Sequence, residues 1–144
     1  GQVTEFKVID IEYTKHDKTW LTGKPATLRV DYTVQTKSGK TLPDQISEWI
    51  SLESDGFALK KAQEWWNARS QWPVPTTVDS AMTACLFGGV ADVVSMKAKL
   101  EGKYWKIQSV ELGPIPKVKT IDTLEDALAK MITCTLNDYN KLVK

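Results

Sequence analysis

Hydrophobic and polar residues alternate with a period of two over the first third of the chain. From Phe6 to Tyr13 the run FKVIDIEY, rich in β-branched and aromatic residues, predicts a first strand. Lys18 to Pro25 (KTWLTGKP) supplies the Gly and Pro of a loop. The cleanest alternation follows, with Ala26, Leu28, Val30, Tyr32 and Val34 on one face and Thr27, Arg29, Asp31, Thr33 and Gln35 on the other, the pattern of a half-buried strand. Lys37-Ser38-Gly39-Lys40 then turns the chain toward a third strand from Gln45 to Leu52. Its alternation sends Ile46, Ile50 and Leu52 inward and Ser47, Trp49 and Ser51 outward. Three such strands in succession predict an antiparallel meander.

After Ser54-Asp55-Gly56 the period becomes helical. No Gly or Pro interrupts Phe57 to Arg69, so a helix is expected there, ended by Trp72-Pro73-Val74-Pro75. Thr76-Thr77-Val78-Asp79 resembles a cap with an acidic first turn, opening a second helix through Leu86 that Gly88-Gly89 closes. Val93 to Leu112 reads as a hairpin turning at Glu101-Gly102. Beyond the stop Gly113-Pro114-Ile115-Pro116, apolar positions from Leu124 to Leu142 have helical spacing, with Thr123 and Asp126 as a capping pair.

The expected fold is therefore α+β: an OB-like five-stranded antiparallel barrel or meander, with a helical insertion between strands 3 and 4 and a C-terminal helix. Residues 1–116 would form the binding domain, and 117–144 a linker and helix packed on it or appended to it.

The 144 residues suffice for one ordinary core. With 19 Lys+Arg against 18 Asp+Glu, the chain has no global pull toward nucleic acid or acidic lipid, so an electrostatic site must be local. Cys85 and Cys134 lie far apart without CxxC spacing and read as reduced core residues. No apolar run approaches the ~20 residues of a membrane span, and no charged-then-apolar leader opens the sequence. A cytoplasmic protein with no membrane association is the expectation.

Catalytic equipment is sparse. His16 is the only histidine and falls in the polar stretch Thr14 to Lys18, a poor foundation for a Ser/His/Asp or Cys/His arrangement. Zinc-ligand spacing, a DxDxDG calcium loop and a phosphate-cradling GK[ST] are all missing from the sequence, so no cofactor, metal or catalytic residue is assigned. One carboxylate pair, Asp31 and Glu48, could meet across strands and support a metal-dependent nuclease, the least favoured alternative.

Tryptophan stands out, with six at 20, 49, 65, 66, 72 and 105. Trp65 and Trp66 point about 100° apart on a helix, so at most one centres on its apolar stripe. Trp49 is directed outward, beside the outward Arg29 of the neighbouring strand. A flat indole for bases and a cation for phosphate equip a single-stranded nucleic-acid platform. The second local feature is charge. Between Met96 and Thr120, Lys97, Lys99, Lys103, Lys106, Lys117 and Lys119 face Glu101 and Glu111, with Tyr104 and Trp105 interleaved. The candidate nucleic-acid-binding set is thus Arg29, Trp49, Lys97, Lys99, Lys103, Tyr104, Trp105 and Lys106.

Three segments in succession, SEWISLESDGFALKKAQEWW, PVPTTVDSAM and EGKYWKIQSVELG, resemble the accessory C-terminal region of bacterial and phage DEAD/DEAH-box helicases of the RadD type. The resemblance spans roughly Lys7 to Gly113. It implies a replication, repair or phage DNA-processing context without the helicase motor, and it supplies no catalytic residues. The resulting expectation is a non-enzymatic module that binds single-stranded nucleic acid, more in keeping with DNA than RNA, in concert with a replication or repair protein. The alternative is a protein-interaction domain whose basic, aromatic surface captures an acidic tail.

Overall fold

A computed structural model describes residues 2–52, 56–71, 74–75, 77–86 and 88–116. Seven elements follow one another: β1 (Val3–His16), β2 (Thr27–Gln35), β3 (Ile46–Ser51), α1 (Gly56–Arg69), α2 (Val78–Leu86), β4 (Val93–Glu101) and β5 (Tyr104–Leu112). The strands form one antiparallel sheet in the order β3-β2-β1-β4-β5, with both helices inserted between β3 and β4. The predicted helix from Thr123, together with Lys117, Lys119, Cys134 and Trp72, lies outside the described residues.

The central strand gives the sheet its curl. β1 pairs with β4 over Val3 to Lys7 and with β2 over Lys7 to His16, and its register with β2 shifts between Val8 and Asp10. An extra residue at such a point bends the strand and increases its twist. The outermost strands β3 and β5 are thereby brought round to line common cavities. β1 extends three residues beyond each predicted end, because its polar ends still find a partner strand. Thr14, Lys15 and His16 therefore belong to the sheet and not to the loop.

The inner face follows the alternation. Leu28, Val30, Tyr32 and Val34 of β2, Ile46 and Ile50 of β3, Phe6 of β1, and Met96 and Ala98 of β4 are all buried. α1 starts at Gly56, whose φ of 63° turns the chain, and lays Ala62, Trp66 and Arg69 against this core at four- and three-residue spacing. Trp66 is 2% exposed whereas Trp65 stays at the margin, as the 100° step between neighbours requires. α2 begins at a cap in which Thr77 Oγ1 accepts the Ser80 N–H at 3.0 Å. It buries Val78, Ala81, Ala84 and Cys85, and ends where the Gly89 N–H donates to the Ala84 carbonyl beside Gly88 at φ 76°.

One acid sits on the inner face. Glu48 pairs with Val30 in register, and its Oε1 accepts hydrogen bonds from the Tyr32 hydroxyl and, at 3.0 Å, from the Trp65 indole N–H. Asp31 and Glu48, a pair that could meet across strands, are kept apart. Asp31 pairs with Ser47, so the two carboxylates project from opposite faces of the sheet. Because an ionised acceptor binds its donors about twice as strongly as a neutral one, Glu48→Gln is expected to destabilise the fold by about 1–2 kcal/mol while retaining an acceptor oxygen. Urea unfolding of the two proteins checks this.

Candidate nucleic-acid interface

On the outer face the β2–β3 register sets Thr27 opposite Ser51, Arg29 opposite Trp49 and Asp31 opposite Ser47. Directly paired residues share a face, so the indole and the guanidinium become neighbours. Trp49 is 56% exposed, and the Arg29 guanidinium carbon lies 5.0 Å from the centre of its ring. Arg29 Nε also donates to Asp31 Oδ1 at 2.9 Å, and the Ser47 hydroxyl donates to the same oxygen. Asp31 is buried beneath these two partners. It compensates the arginine's charge and holds its plane beside the indole. From the end of β1, across β2, the His16 ring stands 5.1 Å from Trp49 at a 45° tilt.

Only part of the predicted hairpin set joins this surface. An open cavity of about 720 Å³ is lined by Arg29, Ser47 and Trp49 together with Lys103, Tyr104 and Trp105. Tyr104, at the start of β5, is 80% exposed. Trp105 occupies the inner side, half-buried and edge-on to Phe6 with centroids 4.9 Å apart, so it packs against the core and the free stacking ring of the hairpin is Tyr104. Lys103 has no carboxylate partner among the described residues.

Lys97, Lys99 and Lys106 lie elsewhere. Lys99 and Lys106 are direct cross-strand partners on the outer side of the β4–β5 ribbon, and Lys97 follows two positions along β4. Lys97 borders a separate shallow depression with Glu5 and Glu111. None of the three lines the cavity that holds Trp49. The structure thus divides the eight candidates into an aromatic cavity with Arg29, Trp49, Lys103, Tyr104 and the wall residue Trp105, and a lysine ribbon apart from it.

A second opening of about 630 Å³ lies on the other side of Trp49, between β3, α1 and β5, with Lys61, Glu64, Trp65, Arg69 and Gln108 in its wall. Arg69 stacks over the Trp65 ring at 4.5 Å and donates to the Trp65 carbonyl at 3.1 Å. Its mixed charges favour no single ligand.

The sequence alone leaves three exposed residues without a role. The polar surroundings of His16 suggest a solvated loop residue, whereas its position at the end of β1 carries it to Trp49. Trp20 and Leu21 form an apolar pair between turn residues with no strand to bury it, a signal visible in the sequence. They are 84% and 75% exposed. No family of known proteins matches this chain, and no curated protein matches it either. Among the described residues no helix is long and apolar enough to cross a membrane.

Proposed function

We propose that the curled sheet is an OB-type barrel whose outer β2–β3 face binds single-stranded nucleic acid. The supporting observation is the half-exposed Trp49, held beside Arg29 at 5.0 Å and sharing an open cavity with Tyr104 and Lys103. The strand order, the helices between β3 and β4, and the location of these residues on β2, β3 and the β4–β5 turn agree with the surface such barrels use for oligonucleotides. Bases stack on Trp49 and Tyr104, while Lys103 contacts phosphate. Because Asp31 neutralises Arg29, the guanidinium orients the platform more than it adds net charge. Little base specificity follows from stacking of this kind. DNA processing in the cytoplasm, alongside a replication or repair factor, is the context in keeping with the resemblance to RadD-type helicases.

Anisotropy of fluorescein-labelled oligothymidines at increasing salt tests the reading, with intrinsic tryptophan emission followed in parallel. Length-dependent, salt-weakened binding with tryptophan quenching is expected. Absence of binding and quenching with every single strand at low salt overturns it. Lys103→Gln should weaken binding a fewfold and flatten the salt dependence by about 0.7 in log–log slope, the contribution of one phosphate contact on a single strand. The lysine ribbon of Lys97, Lys99 and Lys106, free of the aromatic cavity, supports a second reading as a receptor for an acidic protein tail. Binding of a polyglutamate peptide in preference to oligothymidine would favour it.

A further inference from the structure

The loop joining β1 to β2 is built unlike a solvated connection. Thr19 and Lys24 form an antiparallel bridge, with the Thr19 N–H donating to the Lys24 carbonyl at 3.1 Å. Inside the bridge, the Thr19 carbonyl accepts the N–H groups of Thr22 at 3.2 Å and Gly23 at 2.7 Å. Gly23, at φ 69°, turns the chain back without the penalty a side chain would incur there. These bonds fix the turn and leave its apex, Trp20 and Leu21, projecting into solvent. Trp20 is the most exposed large hydrophobic side chain among the described residues.

The position of the apex matters as much as its exposure. The loop springs from His16, whose ring is against Trp49, and returns through Thr27, which pairs with Ser51 two residues beyond Trp49. The apex therefore stands at one end of the proposed stacking surface, and Tyr104 and Lys103 mark its other side. Apolar side chains on a preformed support enter between base pairs or stack on a helix end, and a support already ordered loses little freedom when it does so. Lys24, at the foot of the turn, is exposed, a cation of the kind that meets phosphate.

We infer that Trp20 and Leu21 form a pin that stacks on the terminal base pair where a duplex gives way to single strand, so that the substrate of this surface is a single-strand/double-strand junction. The inference rests on the proposed single-strand platform: Trp49 and Tyr104 take the unpaired strand as it leaves the pin. A uniform single strand engages the platform alone, and a blunt duplex engages the pin alone.

Three fluorescein-labelled probes test this with the full chain: an oligothymidine of about 15 nucleotides, within the span of such barrels, a duplex carrying the same tail, and the duplex without a tail. The tailed duplex is expected to bind roughly tenfold more tightly than the oligothymidine, about 1.4 kcal/mol for one further stacked contact. Trp20→Ala/Leu21→Ala should abolish this preference and leave oligothymidine affinity within about twofold, because the apex touches only the duplex end. Equal affinities of the unaltered chain for tailed duplex and oligothymidine overturn the pin and leave the platform standing. A preference that survives the double substitution, or equal weakening of both probes by it, has the same consequence. Failure of the unaltered chain to bind the oligothymidine at all overturns the platform, and the pin with it.

Discussion

Replacing Trp49 with alanine is expected to weaken oligothymidine binding on the order of tenfold to a hundredfold, the loss of one to two good base–aromatic stacks. The indole lies on the outer face, more than half exposed, with the Arg29 guanidinium and the His16 ring as its ring contacts. Its removal should therefore shift folding stability by no more than about 1 kcal/mol, the size of an exposed cation–π contact. Affinity and stability then separate, which distinguishes a binding residue from a packing one. Trp49→Phe, which retains a flat ring beside Arg29, should recover most of the affinity. Isothermal titration with the three proteins, alongside their urea midpoints, checks all of this. Unchanged affinity in Trp49→Ala would remove the indole from the interface.

Stability should also fall steeply with alkali. Tyr13 is raised well above its ordinary value near 10, first by burial and then by the negative charge of Cys85 once that thiol has ionised and of Asp92 and Glu48, with Arg69 partly opposing. Tyr32 is raised similarly by burial, by the Glu48 charge and by donating its hydrogen bond to Glu48, again with Arg69 opposing. Burial pushes the Cys85 thiol from near 9 up to about 12. All three groups bind their protons more tightly when folded. Their stabilisation is accordingly complete below pH 9 and is lost as pH climbs through the window above it, where the unfolded chain releases protons that the native chain keeps. Each group contributes roughly 1.4 kcal/mol per pH unit once its unfolded form is ionised, so the combined loss by pH 11 is on the order of 5 kcal/mol. That is comparable with the entire stability of many domains. Urea midpoints between pH 8 and 11 should decline increasingly fast, and Tyr32→Phe should show a shallower decline. A flat profile over that range would contradict the burial assigned to these groups.

Much of the fold was legible because the alternation in β2 and β3 is nearly unbroken. Leu28, Val30, Tyr32 and Val34 must share a face, and so must Ile46 and Ile50. Trp49 and Arg29 then had to project together on the opposite side. The helices were marked by Gly56, the Thr77 cap and Gly88-Gly89, each a local signal with a local cause. What escaped detection depended on contacts distant in sequence. Nothing near Thr14 to His16 announces that the strand continues, because its continuation depends on Thr27 to Arg29 across the sheet. Glu48 on an inner face is acceptable only because Tyr32 and Trp65 both donate to it. Trp105 looked like its neighbour Tyr104, yet strand alternation turns one ring onto Phe6 and leaves the other in solvent. The lysines of one hairpin formed a single cluster in the sequence, whereas in the folded ribbon Lys103 alone reaches the aromatic cavity.

The direct test of the outer-face platform is photocrosslinking to a single-stranded oligonucleotide carrying 5-iodouracil, with the attached residues mapped by mass spectrometry. Crosslinks should fall on Trp49 and Tyr104. Adducts confined to peptides holding Lys97, Lys99 and Lys106, with Trp49 and Tyr104 unmodified at saturating oligonucleotide, would contradict the account.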